Sequence, residues 1–209
     1  SKISEKETAQ LRNNELGFVF QFHHLLPEFT AFENVLIPSM IRENSQGVRS
    51  RARELFGLMN LTERMTHYPQ QLSGGERQAV SIAICLGREA DLYLLDEPSA
   101  HLDANARMEA AKAIRRTMEA NEKSAFVIDH DVYFIDILAD SLLVFEGEGG
   151  KIGKAEGPFP LKEGMNRFLS GVNITFRRDH DSKRPRINKS ESRKDREQRQ
   201  AGDFYSYQS

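Results

Sequence analysis

The sequence predicts an α/β fold built around a largely parallel sheet. Short apolar runs rich in β-branched and aromatic residues alternate along the chain with longer segments whose apolar residues recur at helical spacing. Strands that alternate with helices favour parallel pairing, because each helix carries the chain back to the start of the next strand. The predicted strands are residues 16–20, 92–97, 125–128, 142–145 and 174–176.

Helix signals lie between these strands. Thr30 and Glu33 form a capping-box pattern, in which each side chain can bond the other's backbone N–H, so a helix is expected to start there. Asp103 is expected to cap a longer helix that ends near residue 120. The other predicted helices are residues 48–59, 73–86, 132–138 and 161–169, whereas the glycines and prolines between residues 147 and 160 predict a looser connection.

Composition limits the class of protein. The chain has 209 residues, of which 39% are hydrophobic and 29% charged, and this fits one domain or one domain with an extension. It contains no apolar run of about eighteen residues that could span a membrane, and its polar N-terminus has no signal-peptide core. The single cysteine, Cys85, excludes an internal disulfide and an all-cysteine metal or iron–sulfur site within the chain. Its apolar neighbours predict a buried structural thiol.

Charge is unevenly distributed along the chain. Residues 177–200 contain ten Lys and Arg and five Asp and Glu, a net charge of +5, although the whole chain carries −2. A basic tail of this kind could bind nucleic acid or another acidic surface. A solvated, partly disordered tail explains the same composition, and composition alone does not separate the two.

The residues Ser73, Gly74 and Gly75 form the first chemical motif. They predict a turn that opens a helix, and a helix N-terminus attracts anions because its first N–H groups are unpaired and its dipole is positive there. Glycine lets the backbone approach a ligand closely. The pattern therefore suits a phosphate group.

A second motif follows the buried strand that ends at Asp96 and Glu97. One carboxylate can hold a magnesium ion and the other can act on a water molecule. Taken with the phosphate-binding turn, this pair indicates phosphoryl-transfer chemistry. Gln21 and His130 each follow another predicted strand, in the same order along the chain.

Other assignments of these residues are weaker. Each alone has an ordinary structural explanation: a histidine at a strand end, a carboxylate pair that closes a strand, a glycine turn. A hydrolase triad of Ser73, His130 and Asp96 would lack the Gly-x-Ser-x-Gly nucleophile elbow. A metal site at Asp129, His130 and Asp131 explains their position after a strand less well.

The order and spacing of these motifs resemble those of ATP-binding cassette (ABC) ATPases. The resemblance implies that the segment from Ser73, Gly74 and Gly75 to Gln78 is the signature motif, which binds the ATP held by a facing cassette. It implies that Asp103 is the D-loop aspartate at the interface of two cassettes. The expected fold is a P-loop NTPase-like cassette with a helical subdomain and a basic C-terminal tail.

The resemblance also implies the residues of the catalytic site. Asp96 matches the Walker B aspartate at Mg²⁺, and Glu97 the carboxylate that polarises the attacking water. Gln21 matches the Q-loop glutamine, which touches Mg²⁺ and the water, and His130 the switch histidine at the γ-phosphate. ATP and Mg²⁺ are the expected cofactors, and a second cassette in head-to-tail arrangement is the expected partner.

The phosphate-binding P-loop of this family is not found in the chain. Gly149, Gly150 and Lys151 are followed by Ile152, and Phe145 stands where the first glycine is required. Twenty residues precede Gln21, too few for the strand, P-loop and helix that the family places there. The resemblance therefore predicts an N-terminally truncated cassette, which could offer its signature motif to a partner's ATP but would hold its own ATP poorly.

The finer likeness changes along the chain. Residues 11–35 closely resemble LolD, the ATPase subunit of the bacterial lipoprotein-releasing transporter, and this likeness continues to residue 68. Residues 71–76, 85–87, 90–103, 168–170, 174–179 and 184–189 resemble the second cassette of the ribosome-recycling ABC ATPase of archaea and eukaryotes, the RNase L inhibitor family. We therefore predict a chimeric chain with three parts: residues 1–68, a core of residues 69–175, and a basic extension of residues 176–209.

Three hypotheses of function remain open. The first is an ABC ATPase fragment of the ribosome-recycling kind, with the basic stretch from Arg177 to Lys189 near ribosomal RNA. The second is a transporter subunit that binds a membrane partner through residues 22–45. The third is a non-catalytic fragment that donates its signature motif in trans. The expected location is cytoplasmic, or peripheral to the inner membrane under the second hypothesis.

Overall fold

The computed structural model describes residues 16–19, 25–40, 47–148, 150–178 and 185–206. The chain forms two units, residues 1–138 and residues 139–209. The three-part division predicted at residues 68 and 175 follows family likeness rather than packing, and it stays a prediction. Among the described helices, none is long and apolar enough to cross a membrane.

The first unit contains a three-stranded parallel sheet. Its strands are β1 (Leu16–Val19), β2 (Leu92–Asp96) and β3 (Ser124–Ile128), in the order β1-β2-β3. Asp96 at the end of β2 lies opposite Ile128 at the end of β3. Because parallel strands end at the same edge of a sheet, the residues that follow β2 and β3 come together there. The predicted α/β fold is confirmed, and parallel pairing holds for these three strands, whereas the strand predicted at residues 142–145 pairs antiparallel in a separate sheet of the second unit.

Five helices of the first unit also match the sequence predictions. They are α1 (Ala31–Met40), α2 (Val48–Leu58), α3 (Gly74–Gly87), α4 (Ala104–Asn121) and α5 (Val132–Leu138). The predicted capping box forms at α1, where the Thr30 N–H donates to Glu33 Oε2 at 2.8 Å and the Glu33 N–H donates to Thr30 Oγ1 at 3.3 Å. Near the C-terminus of α3, the side chain of Arg51 of α2 donates two hydrogen bonds to the Leu86 carbonyl, at 3.0 and 2.7 Å. A cation at this position suits the negative end of the helix dipole.

The core of the first unit is apolar and centres on α3. Its fully buried side chains include Phe56 of α2, Ile82 of α3 and Ile114 of α4. Cys85 belongs to the same core, and burial raises the pKa of its thiol to about 12. The predicted buried structural thiol is therefore confirmed, since a thiol with so high a pKa is not ionised near neutral pH.

The second unit is built from two small sheets and two helices. The chain forms the antiparallel hairpin β4 (Ser141–Glu148) and β5 (Ile152–Pro160), followed by α6 (Leu161–Gly171). It then forms β6 (Phe176–Arg178), β7 (Pro185–Ile187), α7 (Arg193–Ala201) and β8 (Tyr205–Ser206), with sheet order β7-β6-β8.

The prediction of a loose connection between residues 147 and 160 is wrong. Most of this segment is β5, which pairs with β4 over seven residue pairs. Gly147 adopts a φ of 150°, and a Cβ atom there would lie 2.0 Å from the Ile152 carbonyl oxygen. Glycine here permits the close approach of the two strands, so a residue type that usually marks a turn is part of a hairpin.

The basic C-terminal segment is folded over residues 185–206. Tyr205 of β8 is buried and stacks on Phe176 of β6, with ring centroids 5.5 Å apart. Asn166 of α6 holds the same segment, because its Oδ1 accepts the N–H groups of Phe204 and Tyr205 at 2.6 and 3.1 Å. Over residues 185–206 the basic segment is therefore a folded part of the second unit, one of the two alternatives that composition left open.

Candidate functional site

The signature turn has the geometry that the sequence predicts for a helix N-terminus. Ser73 is the residue before α3, and its Oγ accepts the Glu76 N–H at 3.2 Å while Glu76 Oε2 accepts the Ser73 N–H at 2.8 Å. Burial raises the pKa of the Glu76 carboxyl, but hydrogen bonds from Ser73 and Arg64 outweigh this, so its pKa falls below the ordinary value. An ionised Glu76 keeps the turn closed at neutral pH.

Gly75 is required by a contact within the chain. A Cβ atom at this position would lie 2.9 Å from the carbonyl oxygen of His101, closer than side chains tolerate. At Gly74 the nearest atom to such a Cβ is 3.8 Å away. The absence of a side chain at Gly75 therefore allows the first turn of α3 to pack against the loop that follows β2. Gly74 has more space around its Cα atom.

The two carboxylates and the histidine of the predicted catalytic site meet at the carboxyl edge of the sheet. Asp96 is exposed at the end of β2, and the Glu97 N–H donates to the Ile128 carbonyl at 2.8 Å. His130 Nδ1 lies 3.7 Å from Glu97 Oε1, and the His130 side chain is 77% exposed while that of Glu97 is 32% exposed. Both side chains are thus accessible to solvent at this edge, and their catalytic roles stay a prediction.

Asp103 has a clear local role in the structure. Its Oδ1 accepts the N–H groups of Asn105 and Ala106, each at 2.9 Å, and thereby caps α4 as the sequence predicts. Its predicted place at a cassette interface stays a prediction. The same holds for Gln21, which lies outside the described residues.

Gln78 differs from the other signature residues. Its side chain is fully buried, and its Nε2 donates to the carbonyl oxygens of Glu97 and Pro98, both at 3.2 Å. The resemblance groups Gln78 with the residues that bind ATP, and this role stays a prediction. In the structure, its amide contacts the main chain at Glu97 and Pro98.

Two aspartates beside His130 hold the site together, and the sequence suggested only a metal-binding role for them, which was set aside. Asp129 accepts the Ser99 N–H at Oδ2 and the Ser99 hydroxyl at Oδ1, at 3.0 and 2.8 Å. Asp131 accepts the Phe134 N–H at 2.9 Å and forms an ion pair with Arg107 at 2.5 Å. The residues on either side of His130 thus fix its backbone. The two aspartates that flank His130 in the sequence are the pattern from which this could have been predicted.

Asp96 is the residue of this site best suited to hold a metal ion. Magnesium prefers oxygen ligands and is usually held by one or two carboxylates together with substrate phosphates and water. Asp96 supplies one exposed carboxylate at the end of a rigid strand. Within the described part of the chain, no group of three or more His, Cys, Asp or Glu side chains forms a metal cage. The donor set therefore suits a magnesium ion that arrives with a nucleotide.

The fold and the site define an ATPase domain of the ABC class, and comparison with known proteins agrees. A family model described as ABC transporter matches residues 1–100. The chain belongs to this family, with homologues among the RNase L inhibitor proteins and among LolD proteins.

Three relatives illustrate the two likenesses. An uncharacterized ABC transporter ATP-binding protein of Methanocaldococcus jannaschii, MJ0719, is 36% identical over 203 residues, which are 97% of this chain and 33% of that protein. The LolD protein of Shewanella denitrificans is 44% identical over 131 residues, 62% of this chain and 56% of that one. The archaeal ribosome recycling factor aABCE1, solved in complex with the ribosomal stalk protein aP1, shares 45% identity and a TM-score of 0.78 over 92% of this chain and 37% of its own.

These matches bear on the predicted junction near residue 69. The chain spans about a third of MJ0719 and of aABCE1, so it corresponds to part of a cassette-containing protein. The match to MJ0719 covers 97% of the chain and therefore runs through the predicted junction. The LolD match extends over more residues than the 68 assigned to a LolD-like segment. A chimeric and truncated origin stays a prediction.

Proposed function

We propose that this chain is the ATP-binding and ATP-hydrolysing cassette, or part of one, of an ABC ATPase of the ribosome-recycling kind. As a class, ABC ATPase domains bind ATP together with Mg²⁺. The observation that carries the proposal is the meeting of Glu97 and His130, 3.7 Å apart, beside the end of β2 that bears Asp96. In this arrangement Asp96 would hold a magnesium ion, Glu97 would orient the attacking water and His130 would contact the γ-phosphate.

Closure of two cassettes is the proposed source of mechanical work. The N-terminus of α3 presents Ser73 and Gly74 on a face that suits the phosphates of a facing nucleotide, because a helix N-terminus attracts anions. Binding of two ATP molecules would draw the paired cassettes together, and hydrolysis would release them. The complete ATP site requires a P-loop, which residues 1–209 do not contain as a sequence motif.

The ribosomal part of the proposal is supported by the likeness to aABCE1 and by the charges of the second unit. Arg177 is half-buried and donates to Asn188 Oδ1 at 2.9 Å, so its guanidinium takes part in contacts within the second unit. By contrast, Lys189, Lys194 and Arg196 are exposed on α7 and the turn before it. Cations on such a surface bind RNA phosphates with a strong dependence on salt. A ribosomal partner implies a cytoplasmic location.

Sedimentation with purified archaeal ribosomal subunits tests this proposal. The chain should co-sediment at low salt, and binding should fall steeply as salt rises. The double substitution Lys194→Gln and Arg196→Gln should weaken binding and reduce the slope of log K against log salt by about 2, roughly one for each phosphate contact. The matched control replaces Arg116 and Lys162, two exposed cations elsewhere in the chain, by Gln. Equal effects of the two pairs, or unchanged binding after the first, would contradict the proposed surface.

A second candidate function is the ATPase subunit of a lipoprotein-releasing transporter. The LolD relative supports it, and so do the exposed apolar side chains of Leu26 and Phe29 in the loop before α1, together with Met40 at its end. Such a surface suits an apolar helix of a membrane partner. Co-purification with a LolCE-like membrane complex, lost on Leu26→Ser and Phe29→Ser, would favour this function over ribosome binding.

A third candidate is a non-catalytic fragment that donates Ser73, Gly74 and Gly75 to the ATP of another cassette. Its observation is the intact cap of α3 in a chain without a P-loop motif. Under this hypothesis the chain raises ATP retention by a cassette that carries a P-loop, and replacing Glu97 by Gln leaves that effect unchanged.

A further inference from the structure

The loop between β2 and α4, residues 97–103, has an uncommon backbone. Two of its residues lie in the left-handed region, Glu97 with a φ of 46° and His101 with a φ of 61°. L-amino acids avoid this region because Cβ approaches a carbonyl oxygen, so the conformation persists only where surrounding contacts hold it. The contacts that hold this loop therefore also set the direction of the Glu97 carboxylate.

Gln78 holds the loop from the side of α3. One amide group, Nε2, donates to two consecutive carbonyls, those of Glu97 and Pro98. The Glu97 carbonyl also accepts the Ala100 N–H at 3.0 Å. The first turn of α3 reaches the same loop through the contact of Gly75 with the His101 carbonyl. The signature helix and the 97–103 loop are thus joined at two points.

Asp129 holds the loop from the side of the switch histidine. Its carboxylate accepts both the N–H and the hydroxyl of Ser99, and Ser99 is only 3% exposed. The same carboxylate accepts the Asp131 N–H at 2.8 Å, so it also fixes the residues around His130. Hydrogen bonds to an ionised acceptor are stronger than neutral ones, which suits a contact that must keep its geometry.

Packing alone does not account for Gln78. Its Oε1 is buried and has no hydrogen-bond partner among the described residues, a costly arrangement that an apolar side chain of similar size would avoid. The benefit of glutamine at this position lies in the two bonds from Nε2. Those bonds act on the main chain of Glu97 itself.

We propose that Gln78 and Asp129 are positioning residues that hold the 97–103 loop between the signature helix and the switch loop. Through them, a displacement of α3 or of His130 moves the Glu97 carboxylate, so the site that faces a partner's ATP is coupled to the site that serves the cassette's own. The inference rests on the proposed function, because Glu97 has a reaction to serve only in an ATPase.

Nuclear magnetic resonance of the full chain tests the inference without nucleotide. The variants are Gln78→Met, which keeps length but removes the donor, Asp129→Asn, and the two combined. Either single variant should raise amide exchange at Ala100 by about tenfold, because the loop opens more often. The ring signals of His130 should also shift in Gln78→Met, although Gln78 holds the opposite side of the loop, because Glu97 moves relative to the ring.

The control is Ile82→Val, a buried substitution on α3 one turn beyond Gln78 that removes one methyl group and no hydrogen bond. It should lower the stability of the whole unit while leaving the His130 signals and the loop-specific exchange unchanged. In the double variant, exchange at Ala100 should rise by less than the product of the single effects. Gln78 and Asp129 bond different residues of the loop, so such non-additivity reports coupling through the loop.

Three results would overturn the inference. They are unchanged exchange at Ala100, an equal rise throughout α3 and α4, and unmoved His130 signals. If Gln78→Met does not fold, Asp129→Asn decides alone, because Asp129 lies in a half-buried loop. No ribosomal subunit or ATP is present, so a failure of the ribosome-binding test leaves these outcomes unaffected.

Discussion

Different kinds of contact stabilise the interior of each of the two units. The first unit buries apolar side chains such as Phe56, Ile82 and Ile114 around one central helix. The second is smaller, and beside a few buried apolar residues it contains a buried polar network. A small unit buries a smaller share of its surface, so directional hydrogen bonds contribute more to fixing its segments.

Asp195 is the centre of that polar network. It is 2% exposed, and it accepts the Thr175 hydroxyl at 2.5 Å, Arg199 Nε at 2.9 Å and the Glu191 N–H at 2.9 Å. Asn188 also donates to the Thr175 hydroxyl, at 2.9 Å. The network joins α7 to the strand β6. The comparison teaches that one chain can be stabilised by apolar volume in one unit and by a charged acceptor in the other.

The largest effect on the free energy of unfolding is expected in the first unit, which has the apolar core. Phe56 is fully buried and makes an edge-on contact with Phe32, with ring centroids 5.9 Å apart. Phe56→Ala should lower the free energy of unfolding by about 3–5 kcal/mol, because it leaves a cavity that the core cannot fill. Urea unfolding followed by amide exchange in α2 and α3 measures this. Phe29→Ala is the control, since Phe29 is exposed, and a similar loss there would contradict the apolar core.

An intermediate effect on the free energy of unfolding is expected in the second unit, which has the buried polar network. Thr175→Val keeps the shape of a side chain that is 1% exposed but removes its hydroxyl. Asp195 and Asn188 then each lose a partner, and the free energy of unfolding should fall by about 1–3 kcal/mol. Amide exchange in α7 reports the loss. The control Thr66→Val changes an exposed threonine, and if both variants behave alike the polar network does not stabilise this unit.

The smallest effect appears only in acid. Hydrogen bonds from Thr175 and Arg199 lower the pKa of Asp195 from 3.8 to about 2. Because the folded state binds this proton less readily than the unfolded state, the contribution of Asp195 is complete above the unfolded pKa and is lost as the pH falls from about 4 to about 2. Unfolding of the second unit, measured between pH 5 and pH 2, should show this loss. In Asp195→Asn the dependence on pH should be flatter, and an unchanged pH profile would contradict the assignment.

The same contrast explains what could be predicted from the sequence. The first unit follows apolar periodicity, so its strands, its helices and the cap at Thr30 were predicted correctly. Helix α7 has almost no apolar residues, and its stabilising contacts are the cap at Ser192 and the bonds of Asp195 and Arg199. Periodicity does not detect such a helix, although a serine three residues before an aspartate was a usable signal.

The site was predicted in part for a related reason. Its motif residues stand at fixed distances along the chain, and Glu97 and His130 lie 3.7 Å apart at the sheet edge, while their catalytic roles stay a prediction. The bonds from Gln78 to Pro98 and from Ser99 to Asp129 join segments 20 and 30 residues apart. No local pattern specifies such pairs, because they depend on how helices and strands pack. Sequence reasoning therefore named candidate catalytic residues but did not identify the hydrogen bonds that hold their loop.

The burial of Cys85 has a practical consequence for experiments on this chain. Its thiol has no solvent exposure and a pKa of about 12, so maleimide reagents at neutral pH should leave it unmodified. A cysteine introduced at an exposed position, such as Met40 or Ser170, would then be the single reactive thiol. Fluorescent or spin labels could be attached at chosen sites of the natural sequence without first removing a cysteine from its core.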